Sequence, residues 1–306
     1  MDDALNPIDN LHLFFRRLKG ISQKTKSYRS RSPVVNARKE EDYQAALAVR
    51  APFLPKIDNC DRHIVSCLQQ TGTYTMLIEK LELATTKAML EKASELSKIL
   101  QKTAIRNDLY GFSVSLNEHQ TIDYPDIFLW GLETKLLDIV ENYLGLPVIY
   151  RGASLRRDLP EGETRGIRQW HLDREDRRTI KIIIYLNDVD ENSSPYEYIS
   201  QELTSTTLQN IDYYNFDSAI DKIVNSAVLK SQWKAITGEA GTMIFTDMSN
   251  TLHRLKPQAK RERFSLTFSY TSNLAPDSWQ IAKFSPEQWQ QIETKLSKRQ
   301  KRCLIL

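Results

Sequence analysis

Residues 166–190 read GIRQWHLDREDRRTIKIIIYLNDVD. A short extended piece carrying His171 and Asp173 is followed by a charged turn, 174–178, and then by a strongly apolar segment. Side chains two apart on a strand point the same way, so His171 and Asp173 present an imidazole and a carboxylate to one point. The strand expected over 179–188 has two unlike faces. Ile180, Ile182, Ile184 and Leu186 form an apolar face suited to packing on helices. Lys181, Ile183, Tyr185 and Asn187 form a mixed face suited to lining a cavity.

Outward from this stretch the text alternates in the same manner. On the C-terminal side, short strands are expected at 233–237, 242–246, 252–255 and 263–271, joined by Gly and Pro turns. In the last of these, Phe264, Leu266, Phe268 and Tyr270 alternate with Arg263, Ser265, Thr267 and Ser269. Residues 193–231 read as a polar, helical interruption.

On the N-terminal side, 148–157 reads as a strand. Before it, 126–144 reads as one helix, with Gly145 at its C′ position and Pro147 preventing continuation. The segment 73–102 lacks Gly and Pro and carries apolar residues at three- and four-residue spacing, which predicts one long amphipathic helix. The expected fold is α+β, a jelly-roll barrel buttressed by N-terminal helices. The expected organisation is a basic arm at 1–40, a single catalytic domain at 41–285 and a C-terminal helix with a basic tail at 286–306. Within the domain, 41–147 is helical and 148–272 is the barrel, interrupted at 193–231.

Composition sets the outer limits. The 306 residues are 41% hydrophobic and 26% charged, enough for a sizeable core. A formal net charge of +3 gives no reason to expect a nucleic-acid partner. Three cysteines, Cys60, Cys67 and Cys303, lack metal-ligand spacing and fit a reducing compartment. No apolar run reaches the length of a membrane span and the first residues are acidic, so a cytoplasmic location is expected. Nine Lys or Arg and no acid lie between Arg16 and Lys39, the pattern of a solvated arm.

The chemistry resides in residues far apart in the text. His253 follows the strand that ends near Asp247, and Arg263 and Ser265 share one face of the last strand. Two imidazoles and one carboxylate, His171, Asp173 and His253, are the set that non-haem Fe(II) favours. Such a set fills three of six octahedral positions. Of those left, two suit a bidentate 2-oxo acid and one suits dioxygen. The remote carboxylate of 2-oxoglutarate needs a planar fork and a hydroxyl, which Arg263 and Ser265 offer.

Taken in order, ENYLGLP at 141–147, RQWHLD at 168–173, IIIYLNDVD at 182–190, PYEYI at 195–199, GEAGTMIFTD at 238–247, HR at 253–254 and RFS at 263–265 resemble the iron(II)/2-oxoglutarate-dependent oxygenases. The likeness is to the branch around phytanoyl-CoA dioxygenase and covers 126–272. Ser194 stands where relatives often carry Gly. The resemblance implies a double-stranded β-helix with iron on His171, Asp173 and His253, and 2-oxoglutarate on Arg263 assisted by Ser265. It also implies oxidation of a C–H bond of a small or carrier-bound metabolite, coupled to decarboxylation of 2-oxoglutarate to succinate. A carboxylate at 173, where related halogenases have Gly or Ala, favours hydroxylation or a similar outcome.

Lys181 and Tyr185 are further candidates for cosubstrate contacts, and Gln169 and Asn187 for substrate contacts or catalysis. For Gln169 a satisfied interior amide is the alternative. His12, His63 and His119 have no acid or His partner at ligand spacing. The ending Cys303-Leu304-Ile305-Leu306 matches a prenylation box behind basic residues. The rival to an enzyme is a catalytically silent barrel that binds a metal and a 2-oxo acid as a sensor or binding module.

Overall fold

The computed structural model describes residues 33–103, 113–160, 164, 166–208, 216–275 and 284–304. Ahead of the central strands stand α1 (Pro33–Arg50), α2 (Asn59–Thr71), α3 (Thr86–Lys102), α4 (Glu118–Thr121), α5 (Pro125–Trp130) and α6 (Thr134–Leu144). Helices α7 (Gln201–Leu208), α8 (Phe216–Ala227), α9 (Pro286–Glu293) and α10 (Lys298–Cys303) come later. The strands are β1 (Thr73–Leu77), β2 (Ser113–Leu116), β3 (Val148–Asp158), β4 (Ile180–Tyr185), β5 (Tyr196–Tyr198), β6 (Lys234–Ile236), β7 (Thr242–Asp247), β8 (His253–Leu255) and β9 (Arg263–Ser272). They make a six-stranded sheet ordered β1-β7-β4-β9-β3-β2 and a three-stranded sheet ordered β6-β5-β8, with antiparallel pairing throughout.

The two faces of the large sheet divide as β4 requires. Ile180, Ile182 and Ile184 join Met243, Phe245, Leu266, Phe268 and Tyr270 in the main core, packed with Met89, Ala93 and Leu96 of α3 and Leu136 and Val140 of α6. On the opposite face Ile183, Tyr185 and Ile244 pack with Tyr196 and Tyr198 of the small sheet. Hydrogen bonds tie the sheets together across that layer. Tyr185 Oη donates to Ile236 O at 2.9 Å and accepts from Tyr196 N at 3.0 Å. Tyr196 Oη and Thr246 Oγ1 are 2.8 Å apart. In β3 a bulge between Tyr150 and Gly152 sets the phase of the strand, so that Tyr150 and Ala153 face the core while Gly152 does not.

Three expectations about elements are corrected. The segment 73–102 is not one helix. Gly72, left-handed at φ +80, ends α2, and the β-branched and aromatic Thr73, Tyr74 and Thr75 then form the edge strand β1 beside β7. Nor is 126–144 one helix. A Cβ at Gly131 would lie 2.5 Å from Tyr150 Oη and 2.7 Å from Phe268, and Gly131 O accepts from Tyr270 Oη at 2.8 Å. The chain is drawn onto the sheet there, and α5 and α6 meet at that point. The interruption at 193–231 is not wholly helical, because β5 lies in it as the central strand of the small sheet.

At the C-terminal end Cys303 is buried in the main core and burial pushes its thiol up to about 12, which removes it as an accessible acceptor for a lipid. Most of the basic arm, and the last two residues of the prenylation box, lie outside the described residues. No helix among the described residues is long and apolar enough to cross a membrane.

Candidate metal centre

The segment at 171–173 is less regular than a strand. His171 pairs with His253 as a single antiparallel bridge, each backbone N–H donating to the other's carbonyl at 3.1 Å. Two residues on, Asp173 N donates to Met248 O at 2.9 Å. The segment is therefore stitched to the chain between the end of β7 and the start of β8. This brings the donors together: the ligand atoms of His171, Asp173 and His253 all lie within 4.8 Å of one another. Among the described residues this is the one such group of three.

Both imidazoles are fixed in the orientation a metal needs. His171 Nδ1 lies 2.7 Å from Gln169 O and His253 Nδ1 lies 2.8 Å from Thr251 O. A carbonyl only accepts, so each Nδ1 carries a proton, and Nε2 is the nitrogen each ring offers to a metal. Those Nε2 atoms stand 3.9 Å and 3.8 Å from Asp173 Oδ1. Burial, reinforced by the neighbouring His171, pushes His253 down to about 3 against the pull of Asp173, so its ring is neutral near pH 7. Burial opposes ionisation of Asp173, but the Lys181 ammonium beside it outweighs that and holds the carboxyl well below the usual carboxylate range. Two imidazoles that present their Nε2 atoms beside an ionised carboxylate fit a divalent cation, and these three residues would hold it.

The support behind the donors comes from a buried carboxylate. Asp247, at the end of β7, accepts from Tyr143 Oη at 2.6 Å, Asn250 Nδ2 at 2.8 Å, Ser249 N at 3.1 Å and Thr179 N at 3.2 Å. Its own N–H donates to Gly72 O at 2.9 Å. These bonds fix the turn that leads to Thr251 and His253.

Arg263 and Ser265 lie on the inner face of β9, at the end remote from Lys181. Ser265 is opposite Tyr185 and Arg156 in the sheet and is buried. Arg263 is 3% exposed and pairs with Asp158 of β3, through Nη2 at 2.7 Å and Nε at 3.1 Å. Its Nη1 is buried without a hydrogen-bond partner among the described residues. One edge of the guanidinium is thus held by the protein while the other keeps an unanswered donor. Asp158 is missing from the sequence reading because nothing in its local text marks it; antiparallel register alone brings it opposite Arg263.

Three other candidates make contacts within the protein. Lys181 Nζ bonds Asp173 Oδ2 at 2.5 Å and so stands at the metal carboxylate. The Tyr185 hydroxyl bridges the two sheets. The Asn187 side chain accepts from Phe264 N at 2.7 Å and donates to Glu262 O at 3.1 Å, pinning the end of β4 to the start of β9. Gln169 is half-buried, and its main contribution to the site is the carbonyl that orients His171.

No family model matches the sequence, and no curated protein matches it. Among solved structures, EctD from S. alaskensis in its apo form is 13% identical, with a TM-score of 0.50 over 76% of this chain and 85% of that one. AviO1 from Streptomyces viridochromogenes Tue57 is 17% identical, with a TM-score of 0.48 over 72% of this chain and 98% of that one. HygX from Streptomyces hygroscopicus, with nickel and 2-oxoglutarate bound, is 10% identical, with a TM-score of 0.46 over 69% of this chain and 87% of that one. At these identities the likeness is one of fold, and the match to EctD carries it.

Proposed function

We propose that this chain is a non-haem Fe(II)/2-oxoglutarate-dependent oxygenase built on a double-stranded β-helix. Its reaction is the hydroxylation, or a related oxidation, of an unactivated C–H bond in a small or carrier-bound metabolite. The observation that carries this reading is the convergence of His171 Nε2, His253 Nε2 and Asp173 Oδ1, with both Nδ1 atoms tied to carbonyls. Iron(II) with 2-oxoglutarate and dioxygen would supply the oxidising power, with carbon dioxide and succinate as coproducts. The protein supplies the rest. His171, Asp173 and His253 bind the ion on one side and leave its other side to ligands. The unpartnered Nη1 of Arg263 offers a buried charged donor to the remote carboxylate of the cosubstrate, and Asp158 fixes the plane of that fork. The sheet layer around Ile183, Tyr185 and Ile244 excludes water from one wall.

The test is spectroscopic. Anaerobic protein with Fe(II) and 2-oxoglutarate is expected to show the weak visible charge-transfer band of the chelate. Arg263→Ala should keep the band but require at least tenfold more 2-oxoglutarate to reach half its intensity. A wild-type protein that binds Fe(II) yet shows no such band contradicts the reading.

A further inference from the structure

The two oxygens of Asp173 have different surroundings. Oδ1 faces both imidazoles, whereas Oδ2 accepts from Lys181 Nζ. Lys181 is not free to leave. Its backbone sits in the middle of the large sheet between Thr246 of β7 and Ser269 of β9, and Glu175 Oε1 backs its ammonium at 3.5 Å. An ammonium has donors and no acceptor, so it cannot itself ligate a metal.

From this geometry we infer that Lys181 is a positioning residue that confines Asp173 to a single bond with the metal. A carboxylate with both oxygens available binds a cation through one or both of them. One whose outer oxygen is held by a cation has only the inner oxygen left to give. The difference decides how much of the coordination sphere remains. With two imidazoles and one oxygen, three of six octahedral positions stay open. With two imidazoles and two oxygens, only two do, too few for a bidentate 2-oxo acid and dioxygen together. This consequence for catalysis rests on the proposed function; the coordination claim does not. The sequence pattern put Lys181 among the cosubstrate contacts because it shares the mixed face of β4 with Tyr185, but its reach is toward the metal carboxylate.

The experiment counts waters on the metal. Full-length protein is loaded with Mn(II), without 2-oxoglutarate, and its exchangeable waters are measured by electron paramagnetic resonance in ¹⁷O-enriched water. Lys181→Met removes the donor, and Lys181→Arg keeps it. The expected result is a fall of about one third in bound water for K181M, with K181R unchanged from wild type. When 2-oxoglutarate is then added to the same samples, wild type is expected to keep one bound water and K181M none. Equal hydration in K181M and wild type overturns the inference whatever happens to 2-oxoglutarate, because Lys181 would then act elsewhere. Higher hydration also overturns it, since Asp173 would have lost its place. Should K181M not fold, Lys181→Ala carries the same comparison. A wild-type protein that binds Mn(II) but ignores 2-oxoglutarate counts against the proposed function and leaves the water count intact.

Discussion

Each histidine of the site gives one ring nitrogen to a carbonyl two residues upstream, and the acids near them are held by quite different means. Asp158 is the most exacting case, because it shares a buried pair with Arg263. Removing one member of such a pair leaves the other charge uncompensated, which costs about 3–5 kcal/mol. Asp158→Asn is therefore expected to lose roughly 3 kcal/mol of unfolding free energy without cosubstrate. Metal-loaded D158N should then regain more stability from 2-oxoglutarate than wild type does, since a carboxylate replaces the missing partner. Denaturant titrations with and without 2-oxoglutarate measure this, and equal recovery in the two proteins would contradict it. Asp176 offers a pH test. Burial pushes its carboxyl up to about 6, although Ser272 N and Arg177 N donate to it. The folded chain thus keeps a proton that the unfolded chain releases from about pH 3.9 upward. The stability this contributes is full below that pH and is lost as pH rises through about 6. Asp176→Asn cannot titrate. Between pH 4 and pH 7 its stability relative to wild type should rise by on the order of 2 kcal/mol, as read by urea unfolding at both values. A change within 0.5 kcal/mol, about the usual noise, would refute the assignment.

Elements that bury one face were legible in the text, and elements defined by a neighbour were not. The alternation in 180–186 and 263–270 gave β4 and β9, together with the division between the face in the main core and the face toward the small sheet. The left-handed end of α6 followed from Gly145. β1 was hidden because its five residues sit in a long stretch free of Gly and Pro, and only pairing with β7 makes them a strand. β5 is too short to show a period. The three metal donors could be read from residue type and order, but the carbonyls of Gln169 and Thr251 that orient them are backbone groups with no signature. Gly72 joins element to site. A Cβ there would stand 2.3 Å from Thr251 Oγ1, in a backbone conformation that already costs an L-residue about 1–2 kcal/mol. Gly72→Ala is expected to lose about 1–3 kcal/mol and also to weaken Fe(II) binding, because Thr251 carries the carbonyl that holds His253. Gly145→Ala is the control. It is also left-handed, but its Cβ would meet only the end of the Leu47 side chain, so stability should fall while Fe(II) affinity stays. Equal Fe(II) affinities in both variants would break the proposed link.

At the scale of the whole molecule, two sheets of unequal size face each other, and the donor set forms where separate parts of the chain meet. His171 and Asp173 come from the piece before β4, and His253 from the start of β8 in the small sheet. Tyr185, Tyr196 and Thr246 lock the sheets at the same layer. The long N-terminal helices act at a distance, by covering the outer face of the large sheet so that its inner face can be polar. This division of labour is what the apolar and mixed faces of β4 already required. Anomalous scattering from crystals grown anaerobically with Fe(II) tests it most directly. One iron peak per chain is expected, bonded to His171 Nε2, His253 Nε2 and one oxygen of Asp173. An iron peak elsewhere, or those three side chains standing apart around no ion at saturating Fe(II), would contradict the account.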